Sequence, residues 1–253
     1  MSGHSKWHSI KHKKSKEDVK KGKIFSKLSR YITVAAREGG GDISGNSSLA
    51  LALQKAKDYN MPAANIERAI KKGTGDLGGA EAFEKIIYEG YGPAGVAVMV
   101  EAMTDNRNRT ASDIRNIFSK HNGNLGTTGC VAWMFDRKGV ILAGKDENID
   151  EDTLLSIALE AGAEDLKNED DHFEIITEPV DLNSVCDVLK DKGVKFSSAT
   201  ITMLPKDMVK LNKADAKKAL KLMDVLEDHD DVQEVYSNFD IPDEVMDEIA
   251  AES

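Results

Sequence analysis

Apolar positions recur every three to four residues from about Lys20 to Arg37: Ile24, Phe25, Leu28, Tyr31, Ile32, Ala35 and Ala36 share one side of a helix. Lys20, Lys23, Lys27, Arg30 and Arg37 share the other. One face makes core and the other a basic stripe. Gly39, Gly40 and Gly41 form the stop, since glycine enters the left-handed conformation of a helix end without steric cost. A second helix, capped by Ser47 or Ser48, runs to about Tyr59 with Leu49, Leu53 and Ala56 at core spacing. Pro62 opens a third over 63–72, closed by Gly73.

Beyond the Gly-rich stretch 73–79 the period changes to two. Ile86, Ile87 and Tyr88 read as one strand, and Val96, Val98 and Val100 alternate in the next. Thr110 with Asp113 resembles a capping box opening a helix through Phe118, which stops near Asn122 and Gly123; a strand over 131–135 follows. Residues 140–204 then read as strand 140–143, helix 152–161, strand 164–166, strand 172–177, helix 181–191 and strand 198–204. That βαββαβ order is a ferredoxin-like unit. The segment before it is too short to close a core alone, and a helix over 214–227 and a strand over 232–237 come after it. The pattern therefore predicts an α+β chain in which an N-terminal three-helix domain precedes two α/β domains, the ferredoxin-like one inserted into the other. The expected divisions are a basic helical domain with a mobile arm (1–78), a discontinuous α/β domain (79–136 plus 205–240), the ferredoxin-like domain (137–204) and an acidic tail (241–253).

Charge sharpens this picture. The 253 residues carry a net −10, yet residues 1–75 hold 13 Lys and 3 Arg against 6 acidic side chains, or +10, and the remainder carries −20. A basic third suits a polyanion, and an acidic body orients the encounter by repelling it elsewhere. Beyond Lys221 there are 12 acidic residues and no Lys or Arg. No apolar run approaches the roughly 18 residues of a membrane span, and the first residues lack the apolar core of a secretory signal. Cys130 and Cys186 lack a CxxC partner or a histidine at ligand spacing, which suits a reducing compartment and two small core residues. A cytoplasmic chain with no membrane partner and no cofactor is expected.

Motifs for chemistry are scarce. Gly90, Gly92 and Gly95 spell GxGxxG, but a strand pattern follows where a dinucleotide fingerprint needs a helix, so this reads as a hairpin turn. No Walker A, GxSxG or HExxH sequence occurs, and no pair of residues nominates itself for catalysis; the expectation is not an enzyme. His4, His8 and His12 stand four apart, but the lysines around them oppose a dication and no thiol or carboxylate completes a shell, so no metal site is assigned. His4 and His12, with Trp7, suit contact with sugars, phosphates or stacked bases while Lys6, Lys11, Lys13 and Lys14 neutralise the backbone. Lys20, Lys21, Lys23, Lys27, Arg30 and Arg37 extend that candidate nucleic-acid surface along the first helix. Arg68, Lys71 and Lys72 close the third helix, where they either complement its dipole or add to the surface. Arg107 and Arg109 stand just before a helix start, as a solvated capped turn, an interdomain ion pair or a second polyanion contact.

Several ordered words then converge. Gly3-His4-Ser5-Lys6-Trp7, Lys21-Gly22-Lys23-Ile24-Phe25-Ser26-Lys27-Leu28, Ala35-Ala36-Arg37-Glu38-Gly39-Gly40-Gly41-Asp42, Asn60-Met61-Pro62, Ile66-Glu67-Arg68-Ala69-Ile70, Tyr88-Glu89-Gly90-Tyr91-Gly92-Pro93 and Thr104-Asp105-Asn106-Arg107-Asn108-Arg109-Thr110 together resemble the YebC/PmpR family along nearly the whole chain. The resemblance implies a three-domain fold, agreeing with the pattern above, in a cytoplasmic bacterial protein or an organellar relative. The chain begins directly at the family's first motif, so a bacterial protein without a transit peptide is expected. It also implies two functional labels. Members are described as probable DNA-binding transcriptional regulators; others act as ribosome-associated translation factors, some relieving stalls at proline-rich nascent chains. The expected partner is therefore DNA or ribosomal RNA, with ribosomal or other basic proteins meeting the acidic domains. The basic residues lie on an arm and along a helix rather than in a helix-turn-helix, and lysine outnumbers arginine, so backbone neutralisation is expected over base reading.

Overall fold

The structure is a computed structural model that describes residues 17–77, 83–145, 150–169 and 172–251. In chain order its elements are α1 (Glu17–Gly39), α2 (Ser47–Asp58), α3 (Ala63–Thr74), β1 (Glu84–Tyr91), β2 (Ala97–Thr104), α4 (Arg107–Lys120), β3 (Asn124–Leu125), β4 (Phe135–Gly144), α5 (Glu151–Glu160), β5 (Ala163–Asn168), β6 (His172–Thr177), α6 (Leu182–Asp191), β7 (Phe196–Pro205), β8 (Val209–Lys210), α7 (Lys213–Asp228), β9 (Val232–Ser237), β10 (Phe239–Asp240) and α8 (Asp243–Ala251). It divides into two compact units, one comprising residues 133–207 and the other the chain on either side of them.

In the larger unit, Leu28, Ile32, Ala35 and Ala36 of α1 pack with Leu49, Ala52, Leu53 and Ala56 of α2 and Ala69 of α3 into one buried cluster, the face that the helical period predicts. The cap of α2 is Asn46 rather than either serine. Its side-chain oxygen accepts from the Leu49 amide at 3.0 Å, and its amide nitrogen donates to the carbonyls of Ala35 and Gly40, both at 2.8 Å. One buried amide thus ends α1 and starts α2. Gly73 does not stop α3. It is buried inside the helix, where an added Cβ would stand 2.4 Å from the Thr33 carbonyl oxygen, so the glycine permits the α1–α3 crossing. The stop is Gly75, in the left-handed conformation.

The second core of this unit lies under an antiparallel sheet of order β3-β1-β2-β9. Val96, Val98 and Val100 face Ile114 and Phe118 of α4 and Ala219, Leu222, Met223 and Leu226 of α7. β1 and β2 pair from Glu84 opposite Thr104 to Tyr91 opposite Ala97, so the GxGxxG stretch is a hairpin connection as expected. α4 begins earlier than the Thr110 box suggests. Asn106 caps it by accepting from the Arg109 amide at 3.1 Å, and Thr110 is buried one turn in. The acidic tail expected from Ile241 onward is instead α8, whose Met246 and Ile249 are buried in the same core; its acids occupy the outer face.

The 133–207 unit is a four-stranded antiparallel sheet of order β5-β6-β4-β7, with α5 and α6 packed on one face through Leu154, Ala158, Val185 and Leu189. That order and the βαββαβ succession are ferredoxin-like. The strand expected over 131–135 is a short 3-10 turn, Ala132–Met134, and β4 starts at Phe135 and runs on through the predicted 140–143 segment.

Candidate nucleic-acid interface

His4, Lys6, Trp7, Lys11, His12, Lys13 and Lys14 lie outside the described residues. Lys20 and Lys21 fall in the first two turns of α1, ahead of its first core residue, Ile24. The rest of the predicted stripe does not simply face solvent. Lys23 Nζ pairs with Asp228 Oδ1 at 2.8 Å, and Lys27 Nζ donates to the Glu227 carbonyl at 2.6 Å. Arg30 pairs with Asp231 Oδ1 at 2.9 Å and donates to the Asp230 carbonyl. Lys55 of α2 adds a pair with Glu234 at 3.0 Å. The acceptors all come from the end of α7, the turn after it and the start of β9.

Electrostatics differ along this row. The hydrogen bond that Lys23 donates to Asp228 holds its ammonium above its usual range. Burial lowers the Lys27 ammonium, and this desolvation outweighs the pull of Glu227, Glu234 and Asp228. For Lys55 burial acts the same way, but the charge and hydrogen bond of Glu234 overcome it and the net shift is upward.

Asp231 is the anchor. It is buried, and burial alone would raise its carboxyl; the Thr110 hydroxyl at 2.7 Å, Arg109 at 2.9 Å and the charge of Arg30 win and lower it. Its backbone carbonyl accepts from Met103 at 2.8 Å, and its N–H donates to His229 Nδ1 at 3.1 Å. Arg109, which also pairs with Asp105 at 2.8 Å, is thereby a structural ion pair within the sheet domain and not a free contact. Arg107 is exposed on the first turn of α4.

A second focus is Phe83, which the sequence did not single out. Its buried ring has Arg30 on one contact at 5.5 Å and Lys72 on another at 5.3 Å, and its carbonyl accepts from Arg37. Phe83 also joins Val34 and Met103 in a small apolar cluster between α1 and the sheet. Cation–π attraction holds Arg30 and Lys72 at the ring, and the carbonyl takes Arg37. Between these two foci lies a cleft of about 570 Å³, bordered by Lys23, Arg30, Phe83, Arg109 and the 228–231 turn. Arg68 and Lys71 stand exposed on α3. Among the described residues no group of three or more His, Cys, Asp or Glu is placed to hold a metal ion, and no helix is long and apolar enough to cross a membrane.

A family model described as the TACO1/YebC protein N-terminal domain matches residues 5–76, and one described as the TACO1/YebC second and third domain matches residues 83–239. The chain belongs to the TACO1/YebC family. A relative from Halothermothrix orenii is 61% identical over the whole of both chains and is named a probable transcriptional regulatory protein. One from Syntrophus aciditrophicus, 56% identical over 99% of this chain and 100% of its own, bears the same name. A crystal structure of a conserved hypothetical protein from Aquifex aeolicus, 50% identical, superposes with a TM-score of 0.80 over 92% of this chain and 96% of that one. The TACO1/YebC architecture thus covers the mixed helix and sheet fold described above.

Proposed function

We propose that this chain is a non-enzymatic regulator of gene expression that binds nucleic acid through its N-terminal helical domain, acting as a cytoplasmic DNA-binding transcriptional regulator. The observation that carries the reading is the placement of charge: a lysine-rich run of sequence leads into α1, and Arg68 and Lys71 stand exposed on α3, while the rest of the chain is strongly acidic. The names of the relatives support the regulatory part. The predicted contacts are His4, Lys6, Trp7, Lys11, His12, Lys13, Lys14, Lys20, Lys21, Arg68 and Lys71, with Lys23, Lys27 and Arg30 engaged within the chain.

A second reading, a ribosome-associated factor on ribosomal RNA, is favoured by the preponderance of lysine over arginine, which suits a phosphate backbone more than base edges. The test has two parts. If about five phosphates are neutralised, the logarithm of affinity for duplex DNA falls with that of salt at a slope near −4.5. Removing residues 1–16 should abolish binding and leave the melting of the sheet domains unchanged; wild-type affinity in the truncated chain overturns the reading. In-cell ultraviolet crosslinking then separates the two targets, by reads at promoters or on ribosomal RNA.

A further inference from the structure

The cations that the helical pattern assigns to a polyanion already face one. Between Glu227 and Glu234 the chain places Glu227, Asp228, Asp230, Asp231 and Glu234 within eight residues. Lys23, Lys27 and Arg30 stand at i, i+4 and i+7 on α1, a stripe about 10 Å long at 1.5 Å per residue. Lys23 meets Asp228 at 2.8 Å, Arg30 meets Asp231 at 2.9 Å, and Lys55 meets Glu234 at 3.0 Å. Lys27 donates to the Glu227 carbonyl among the same carboxylates.

We propose that segment 227–234 covers the phosphate-contacting face of α1 in cis, and that nucleic acid and this segment compete for Lys23, Lys27 and Lys55. The inference rests on the nucleic-acid reading above and adds to it a surface and the competitor that guards it. The pairs divide into two kinds. Arg30–Asp231 is anchored, because Asp231 is buried and also held by Arg109 and Thr110. Lys23–Asp228 is solvent-exposed on both sides, 42% and 72% accessible, and Lys55–Glu234 is exposed at its acid, 46% accessible, with Lys55 half-buried; pairs open to water in this way are weak enough to be exchanged for phosphate. A lysine stripe left open would hold any nucleic acid; an internal acidic cover sets a threshold that only a ligand also engaging the arm and α3 exceeds.

The test is a fluorescence-anisotropy titration of a labelled duplex of about 20 base pairs at several salt concentrations. It uses the full chain and the variant Asp228→Asn/Asp230→Asn/Glu234→Gln. All three side chains are exposed, so the variant folds. A control with the same change of net charge elsewhere, Glu160→Gln/Glu244→Gln/Asp247→Asn, is titrated beside it. The 228/230/234 variant should bind about tenfold more tightly at low salt, with a slope steeper by about 1.8, since each of the two freed cations, Lys23 and Lys55, displaces about 0.9 counterion. The control should stay near wild type. If both variants tighten equally, or neither does while the wild type binds, cis competition is overturned and the nucleic-acid reading stands. If no protein binds even at the lowest salt, both fall together.

Discussion

Replacing Asp231 by Asn removes one charge and almost no volume from the point where α1, α4 and β9 meet. The carboxylate is 4% accessible and accepts from Thr110 at 2.7 Å, Arg30 at 2.9 Å and Arg109 at 2.9 Å. A hydrogen bond to a charged partner in such a place contributes about 1.5–3 kcal/mol. Arg30 is 23% accessible and falls at the lower end; Arg109 is 47% accessible, so solvent screening leaves it about 0.5 kcal/mol. Asn still accepts from Thr110, but its amide nitrogen meets a guanidinium. A loss of about 2–3 kcal/mol is expected. Urea unfolding followed by far-ultraviolet circular dichroism should show it as a lower midpoint for the larger unit, with the 133–207 unit unmoved. The carboxyl is held below its unfolded value of about 3.9, so its contribution is present above that pH and fades as pH falls through the folded value. The Asn variant should therefore show a flatter acid limb. A change below about 0.5 kcal/mol, or an acid limb identical to wild type, would refute the anchor.

Gly73→Ala should destabilise the helical domain by about 1–3 kcal/mol although alanine is the better helix former, because the new Cβ would stand 2.4 Å from the Thr33 carbonyl oxygen; a thermal melt at or above wild type would show that the helices separate freely. Glu89→Gln should loosen the loop after β3, since the buried carboxylate accepts from the amides of Gly129 (2.6 Å), Val131 (2.9 Å) and Ala132 (2.7 Å). Burial pushes this carboxyl up, but the three amides outweigh it and hold it below its usual range. The loop is thus most ordered above that range, and the protection of these amides, taken relative to their intrinsic exchange rates at each pH, should fall on acidification in the wild type and be lower at all pH values in the variant.

Much of this architecture was legible because its residues report locally. The period of α1 and the alternation of β2 each name the buried face without reference to anything distant, and the ferredoxin-like order follows from succession alone. What failed locally did so for identifiable reasons. Gly73 carries the same signal whether it ends a helix or lies under a crossing one. Thr110 resembles a cap because hydroxyl and carboxylate spacing repeats at helix starts, yet its hydroxyl answers to Asp231, 121 residues away. The acids of 243–251 hid an apolar stripe of only Val245, Met246 and Ile249, too short to stand out from a charged run.

The sequence by itself determined most of the element types, the buried faces of α1 and β2, and the segregation of charge into a basic first third and an acidic remainder. These depend on composition and on periods of two or 3.6 residues. Only the tertiary structure decided what the charges do, because attraction between ions depends on separation in space and not along the chain. Lys23 and Asp228 are 205 residues apart in sequence and 2.8 Å apart in the fold. A stripe that reads as open to solvent is closed by acids brought to it from the end of α7, the turn after it and β9, and burial then decides which of those pairs are fixed and which are exchangeable.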